Sequence, residues 1–222
     1  MVSTAIIFDF DGVIADSEVP ANRALAESLT AIGLPTTFED SLRDYHGHNW
    51  QETQRRIEAR LGRALPEDFR ETHRVRARAH FAAGFDPVPG AVGFLGLTAH
   101  LPRAIASSSN PNYIVWALDR FGIADHFTGQ IHSADGMERG KPHPDIYLTA
   151  AAALGVDPVH CLAIEDSPTG ARAAVAAGMR VIGLLAAGHI ADRDSHGRSL
   201  IEVGVHHLAE DYDAVAQFTG LA

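Results

Sequence analysis

The stretch Ile6-Ile7-Phe8-Asp9-Phe10-Asp11-Gly12-Val13 decides how this chain folds. Residues 5 to 8 are a continuous apolar run, the pattern of a strand buried on both faces of a parallel sheet. That run delivers two carboxylates, one residue apart, to the point where Gly12 lets the chain turn away. An unpaired carboxylate beside a buried strand is costly, so a cation or a basic side chain belongs next to it.

Working outward, the chain divides into two patterns. From Ala15 to Val88 no strand is convincing, and helices are predicted from about Pro20 to Ala31, Trp50 to Leu61 and Pro66 to Ala83. Gly33-Leu34-Pro35, Gly62 and Gly84 end them, since glycine takes the C-cap and proline cannot continue a helix. Residues 15–88 therefore read as an Arg-rich helical insert, bounded by Asp86-Pro87-Val88-Pro89-Gly90. Beyond it, short apolar strands at Ala104–Ala106, Gln130–His132, Cys161–Ile164 and Val181–Leu185 alternate with helices at Pro111–Phe121, Pro144–Leu154 and Pro168–Ala177. This alternation predicts an α/β fold, a Rossmann-like parallel sheet with helices on both faces, formed by residues 1–14 and 89–222 and carrying the inserted α-helical domain.

Ligands of such sheets bind outside the carboxyl ends of the strands. That rule selects Asp9 and Asp11, the loop Ser107-Ser108-Ser109-Asn110, and Glu165-Asp166. Asn110 precedes Pro111 and Ser167 precedes Pro168, so each loop also caps a helix. Helix capping alone would explain either loop; free N–H groups at a helix start also suit a phosphoryl group. Several strand ends bearing such groups favour the second reading.

Lys141 is the only lysine in a chain that otherwise uses arginine, and it lies in Gly140-Lys141-Pro142-His143-Pro144. A turn-surface lysine is the plain alternative. A compact ammonium that neutralises Asp9 and binds phosphate suits the position better. Glu165 and Asp166 add carboxylates that would repel an anionic substrate unless a hard divalent cation joined them, and all-oxygen ligands suit Mg2+. His46, His48, His206 and His207 lack the spacing of a zinc site, and the start of a calcium loop suggested by Asp9 and Asp11 lacks its remaining ligands.

The totals narrow the partners. A chain of 222 residues with 46% hydrophobic residues can bury a full core. A formal net charge of −10 argues against nucleic acid or an anionic membrane as the partner, while leaving room for a small anionic metabolite. Cys161 is the only cysteine and reads as a reduced core residue. With no basic and apolar leader and no run of membrane-spanning length, a cytoplasmic protein is expected, as a monomer or weak homo-oligomer. Gly90, Gly93 and Gly96 read as helix packing positions, and Arg55, Arg56, Arg60, Arg63, Arg70, Arg74, Arg76 and Arg78 as a mostly solvated face.

These residues resemble the haloacid dehalogenase superfamily, in its phosphatase branch with a helical cap, over essentially the whole chain. Asp9-Phe10-Asp11-Gly12-Val13 matches the first motif, Ser107 the second, Lys141 the third and Glu165-Asp166 the fourth. The resemblance implies that Asp9 attacks phosphorus to form an aspartyl phosphate, and that Asp11 is the acid and base. It also implies Mg2+ held by Asp9, Asp166 and the backbone of Asp11, with Glu165 holding metal-bound water or orienting Asp166. Ser107 and Lys141, with Ser108 and Asn110 nearby, would bind the substrate. Asp11 points to phosphate esters, since similar dehalogenases lack that carboxylate.

A β-phosphoglucomutase-like enzyme shares all four motifs. Here, however, Gly47 is followed by His48-Asn49, and Ala21 stands where that enzyme has a histidine. Ser108-Ser109-Asn110-Pro111-Asn112 and Asp16-Ser17-Glu18-Val19 look more like sugar-acid phosphatases such as 6-phosphogluconate phosphatase. Tyr45, His46, His48 and Asn49 are candidates to read the leaving group. A non-catalytic binding or regulatory module would be expected to have lost a motif, and none is damaged.

Overall fold

Strand β1 (Ala5–Phe8) forms where its apolar run predicts, with all four residues buried. In the computed structural model, which describes residues 4–45 and 50–220, it lies within a six-stranded sheet of order β3-β2-β1-β4-β5-β6. The other strands are β2 (Arg103–Ser107), β3 (Ile131–Ser133), β4 (Cys161–Glu165), β5 (Arg180–Leu184) and β6 (His207–Ala209). All pairings are parallel. The first five strands agree with expectation to within a residue at each end. Strand β6 was not expected, because three residues with a histidine at the start carry no readable alternation.

Between β1 and β2 the described chain forms α1 (Glu18–Ala31), α2 (Phe38–Tyr45), α3 (Trp50–Leu61), α4 (Phe69–Ala83) and α5 (Ala91–Leu97). Helix α2 went unread, although Thr37 and Asp40 announce it as a reciprocal capping pair. The Thr37 N–H donates to Asp40 Oδ2, and the Asp40 N–H to Thr37 Oγ1. His46, His48 and Asn49, proposed readers of a leaving group, lie outside the described residues.

The chain divides into two compact units, Met1–Asp16 with Asp86–Ala222, and Ser17–Phe85. Both connecting segments stay with the first unit because their backbones pair there. The Val88 N–H donates to the Ile14 carbonyl and the Asp16 N–H to that of Asp86. The helical unit has its own core of Leu25, Leu29, Leu34, Tyr45, Ile57 and Phe69. Trp50, Phe69 and His73 stack in parallel beside it. Its arginines are mostly a solvated face, as expected: Arg55, Arg56, Arg60, Arg63, Arg70, Arg74 and Arg78 are exposed, and Arg55 and Arg56 pair there with Glu52. Arg60 and Arg63 instead donate to the carbonyls of Pro35 and Ile32, tying helix ends together.

In the first unit the crossovers continue through α6 (Pro111–Phe121), α7 (Asp145–Leu154), α8 (Pro168–Ala176), α9 (Arg193–Glu202) and α10 (Tyr212–Thr219). The chain runs outward from β1 to β3, returns to β4, and runs the other way to β6. Right-handed crossovers therefore place α5 and α6 on one face and α7, α8 and α9 on the other. The expectation that Gly93 and Gly96 pack closely is overturned, since a side chain at either would meet open space. Gly90 alone of the three is tight, since a Cβ there would lie 3.0 Å from the Tyr212 Cβ. Helices α9 and α10 were also missed, although Asp192 and Asp211 cap them by accepting from Ser195 N and Ala214 N.

Candidate active site

The point where the crossovers change direction lies between β1 and β4, and a crevice for ligands opens at such a point. The register pairs Phe8 with Ile164, so Asp9 and Glu165 leave the sheet as neighbours. The Asp9 N–H donates to the Ile164 carbonyl at 3.0 Å, which continues the pairing to the carboxylate itself. Immediately afterwards the chain turns: the Phe10 carbonyl accepts from the N–H groups of Val13, Ile14 and Ala15. Gly12 takes φ +76°, and a Cβ there would lie 1.9 Å from Asp166 Oδ2. Only glycine fits both the turn and the approach of that carboxylate.

Lys141 comes from the loop between β3 and α7. Its Nζ donates to Asp9 Oδ1 at 2.8 Å and to Glu165 Oε1 at 2.7 Å, and its side chain is 6% exposed. The buried Tyr147, on α7, donates from its hydroxyl to the same Glu165 oxygen at 2.7 Å. Glu165 Oε2 accepts from both the N–H and the hydroxyl of Ser167, each at 3.1 Å. Glu165 thus has four donors in a fully buried position. Helix α8 passes so close that a Cβ at Gly170 would lie 1.7 Å from Glu165 Oε1.

At the end of β2 the buried Ser107 accepts the Ser109 N–H on its hydroxyl at 3.0 Å. Ser109 in turn donates to Asp11 Oδ2 at 2.5 Å, and Tyr113 on α6 donates to Asp11 Oδ1 at 3.3 Å. Ser108 is exposed. Asn110 caps α6 by accepting the Asn112 N–H, and its amide donates to Asp135. Asp9 and Asp11 therefore have different partners, lysine for one and hydroxyls for the other. The strand-end rule missed Tyr113, Tyr147, His189 and His196. Ser109 lay inside a selected loop, and His189 follows β5, where the same rule could have been applied.

The family model for haloacid dehalogenase-like hydrolases matches residues 4–178. The chain belongs to that hydrolase family. Hexitol phosphatase B of Escherichia coli (strain K12) is 34% identical over 182 residues, 80% of this chain and 82% of that protein. The 6-phosphogluconate phosphatase of the same strain is 26% identical over 179 residues, 80% of each chain. Among solved structures, a HAD family hydrolase from Deinococcus radiodurans R1 with bound phosphate and sodium superposes with a TM-score of 0.84. It is 28% identical, covering 99% of this chain and 97% of that one. The named relatives support a phosphatase.

In this haloacid dehalogenase-like hydrolase, carboxylate oxygens of Asp9, Glu165 and Asp166 lie within 4.8 Å of one another, and all three residues are buried. Three carboxylates face one ammonium, so the ionised cluster carries an excess of two negative charges. Burial, and then the Glu165 charge, push the Asp9 carboxyl well above its ordinary value despite Lys141. Burial alone would lower the Lys141 ammonium; Asp9 and Glu165 more than reverse this and hold it above its ordinary value. Hard oxygen donors around a divalent excess of charge fit a hard divalent cation. Since Glu165 already has four donors, Asp9 and Asp166 are the side chains best placed to give oxygens to it. No helix among the described residues is long and apolar enough to cross a membrane.

Proposed function

We propose that this protein is a Mg2+-dependent phosphatase of a small phosphorylated sugar or sugar acid, working through an aspartyl phosphate on Asp9. The observation that carries the reading is the unequal treatment of the two carboxylates after β1. Asp9 is buried and held at Oδ1 by Lys141, whereas Asp11 is held by the hydroxyls of Ser109 and Tyr113. With Oδ1 occupied, Oδ2 of Asp9 is the nucleophile. It forms a bond to phosphorus as the bond to the leaving oxygen breaks. Asp11 gives its proton to that oxygen, then takes one from the water that attacks the aspartyl phosphate, so free phosphate leaves and Asp9 is regenerated.

Lys141 and Ser107 stabilise the charge on the transferring oxygens, with the loop of Ser108 and Asn110 beside them. Asp9, Asp166 and the Asp11 backbone carbonyl would hold Mg2+, which when bound supplies charge neutralisation for an anionic substrate. Glu165 orients Lys141. We take the helical unit Ser17–Phe85 as the cap that chooses the leaving group. Hexitol phosphatase B and 6-phosphogluconate phosphatase among the relatives support a sugar or sugar-acid phosphate.

The purified chain, incubated with a panel of phosphorylated sugars and sugar acids, should release inorganic phosphate. Chelation should stop release and Mg2+ should restore it. Asp9→Asn should be inactive. Conversion of a sugar phosphate to its isomer without net phosphate release would make the protein a mutase instead. Wild-type turnover by Asp9→Asn would remove the covalent mechanism.

A further inference from the structure

Imidazoles from a segment beyond the four motifs lie against Asp166 at its carboxylate and at its backbone oxygen. His189, in the loop after β5, is 5% exposed, and its Nε2 lies 3.2 Å from Asp166 Oδ2. His196, on α9, brings its Nε2 to 2.5 Å from the backbone oxygen of the same residue. A carbonyl oxygen only accepts, so Nε2 of His196 carries a proton. The two rings meet edge to face, with centroids 6.4 Å apart and planes at 82°. From the other side the Gly12 backbone closes in: a Cβ there would lie 1.9 Å from Asp166 Oδ2 and 3.0 Å from His189 Cε1. The loop bearing His189 is itself tied down, because the Gly188 N–H donates to both oxygens of Asp16 at 3.1 and 3.2 Å.

We propose that His189 and His196 are positioning residues that fix the Asp166 carboxylate for a divalent cation. The inference rests on the metal reading given above. A carboxylate ligand must present an oxygen in one orientation each time the cation binds. Confinement by a ring on one side and a peptide on the other removes the freedom that binding would otherwise have to freeze out. Partners of this kind change metal affinity without touching the metal. His189 acts on the carboxylate, and His196 on the backbone from which it hangs.

The test is calorimetric titration of the full chain, freed of metal, with Mg2+ and with Mn2+. His189→Phe keeps a planar ring and loses the nitrogen, while His189→Gln restores a nitrogen near the same place. His196→Phe makes the same change at the half-buried second ring. The Phe variants should bind each cation about tenfold to a hundredfold more weakly, and His189→Gln should recover most of the loss. Metal-free melting, followed by circular dichroism, reports folding separately. A lower melting temperature with an unchanged Kd would make the two rings structural only and overturn the proposal. If His189→Phe fails to fold, His196→Phe and His189→Gln decide it: wild-type affinity in the first, or a loss of about tenfold or more in the second, is the overturning result. Nitrogen coupling to bound Mn2+ in spin-echo spectra of the wild type would make an imidazole a ligand, again overturning it. A wild type that takes up neither cation would instead remove the metal reading itself, and this inference with it.

Discussion

Lys141 Nζ donates to Asp9 Oδ1 at 2.8 Å although the two residues are 132 positions apart. The same ammonium reaches Glu165, so one cation holds together the ends of two adjacent strands and their buried carboxylates. Removing one partner of a buried pair strands the remaining charge, typically at about 3–5 kcal/mol. Lys141→Met should therefore lower stability by about that range and reduce phosphate release to background. Urea unfolding and a phosphate assay on one preparation would check both. Full activity with wild-type stability would mean that the lysine is incidental.

Gly170→Ala isolates a steric requirement from any chemistry. The added methyl would fall 1.7 Å from Glu165 Oε1. That carboxylate cannot move aside freely, since Lys141, Tyr147 and Ser167 all hold it. Alanine favours helix by roughly 1 kcal/mol over glycine, so the substitution would stabilise an unobstructed helix. Here the expected result is the opposite, a lower melting temperature and lower kcat. A stabilised, fully active variant would show that the approach of α8 to Glu165 is looser than it stands.

The helical unit should lose stability in acid through His73. Ser28 Oγ gives its proton to the Ala24 carbonyl, so His73 Nδ1, 3.2 Å from that oxygen, is the donor between them. Burial, and then Arg76, hold the imidazole below its ordinary value of 6.5. A depressed histidine favours the fold while neutral. Its contribution is present above pH 6.5 and is lost as pH falls through the lowered folded value. In a Trp116→Phe background, Trp50, which stacks on His73, reports the unit by fluorescence. The urea midpoint should fall below pH 6.5, and His73→Phe should flatten that fall. An equal slope in both proteins would assign the acid sensitivity elsewhere.

What could be read in advance follows a physical division. A buried parallel strand must be apolar along its whole length, and a helix start needs a cap, so β1, β4 and α6 could be read directly from residues 5–8, 161–164 and Asn110-Pro111. Lys141 stood out as the only lysine of the chain. Strand β6, three residues long, and helix α9, with few apolar residues, did not; helix α10 carried a readable signal in Tyr212, Val215 and Ala216 behind its Asp211 cap. Tyr147 and His196 did not stand out either. Each looks like an ordinary helical residue until the fold brings it to Glu165 or Asp166. Gly93 and Gly96 show the converse: a regular spacing that packs against nothing.

Asp11 offers the sharpest separation of binding from chemistry. Its two oxygens are taken by different donors, Ser109 at Oδ2 from the loop before α6 and Tyr113 at Oδ1 from the first turn of α6. If Asp11 carries the proton, these hydroxyls fix where its carboxyl points without touching phosphorus. Tyr113→Phe keeps the edge-to-face contact with Phe10 and deletes only the hydroxyl. It should lower kcat severalfold while KM for a sugar phosphate stays near wild type, because an interaction used in proton transfer is lost and ground-state binding is not. Ser109→Ala should act in the same direction and more strongly, as its contact with Asp11 is the shorter. The double variant should fall short of the product of the two, since both act on one carboxyl. A rise in KM at constant kcat in either single variant would place these hydroxyls in substrate binding instead.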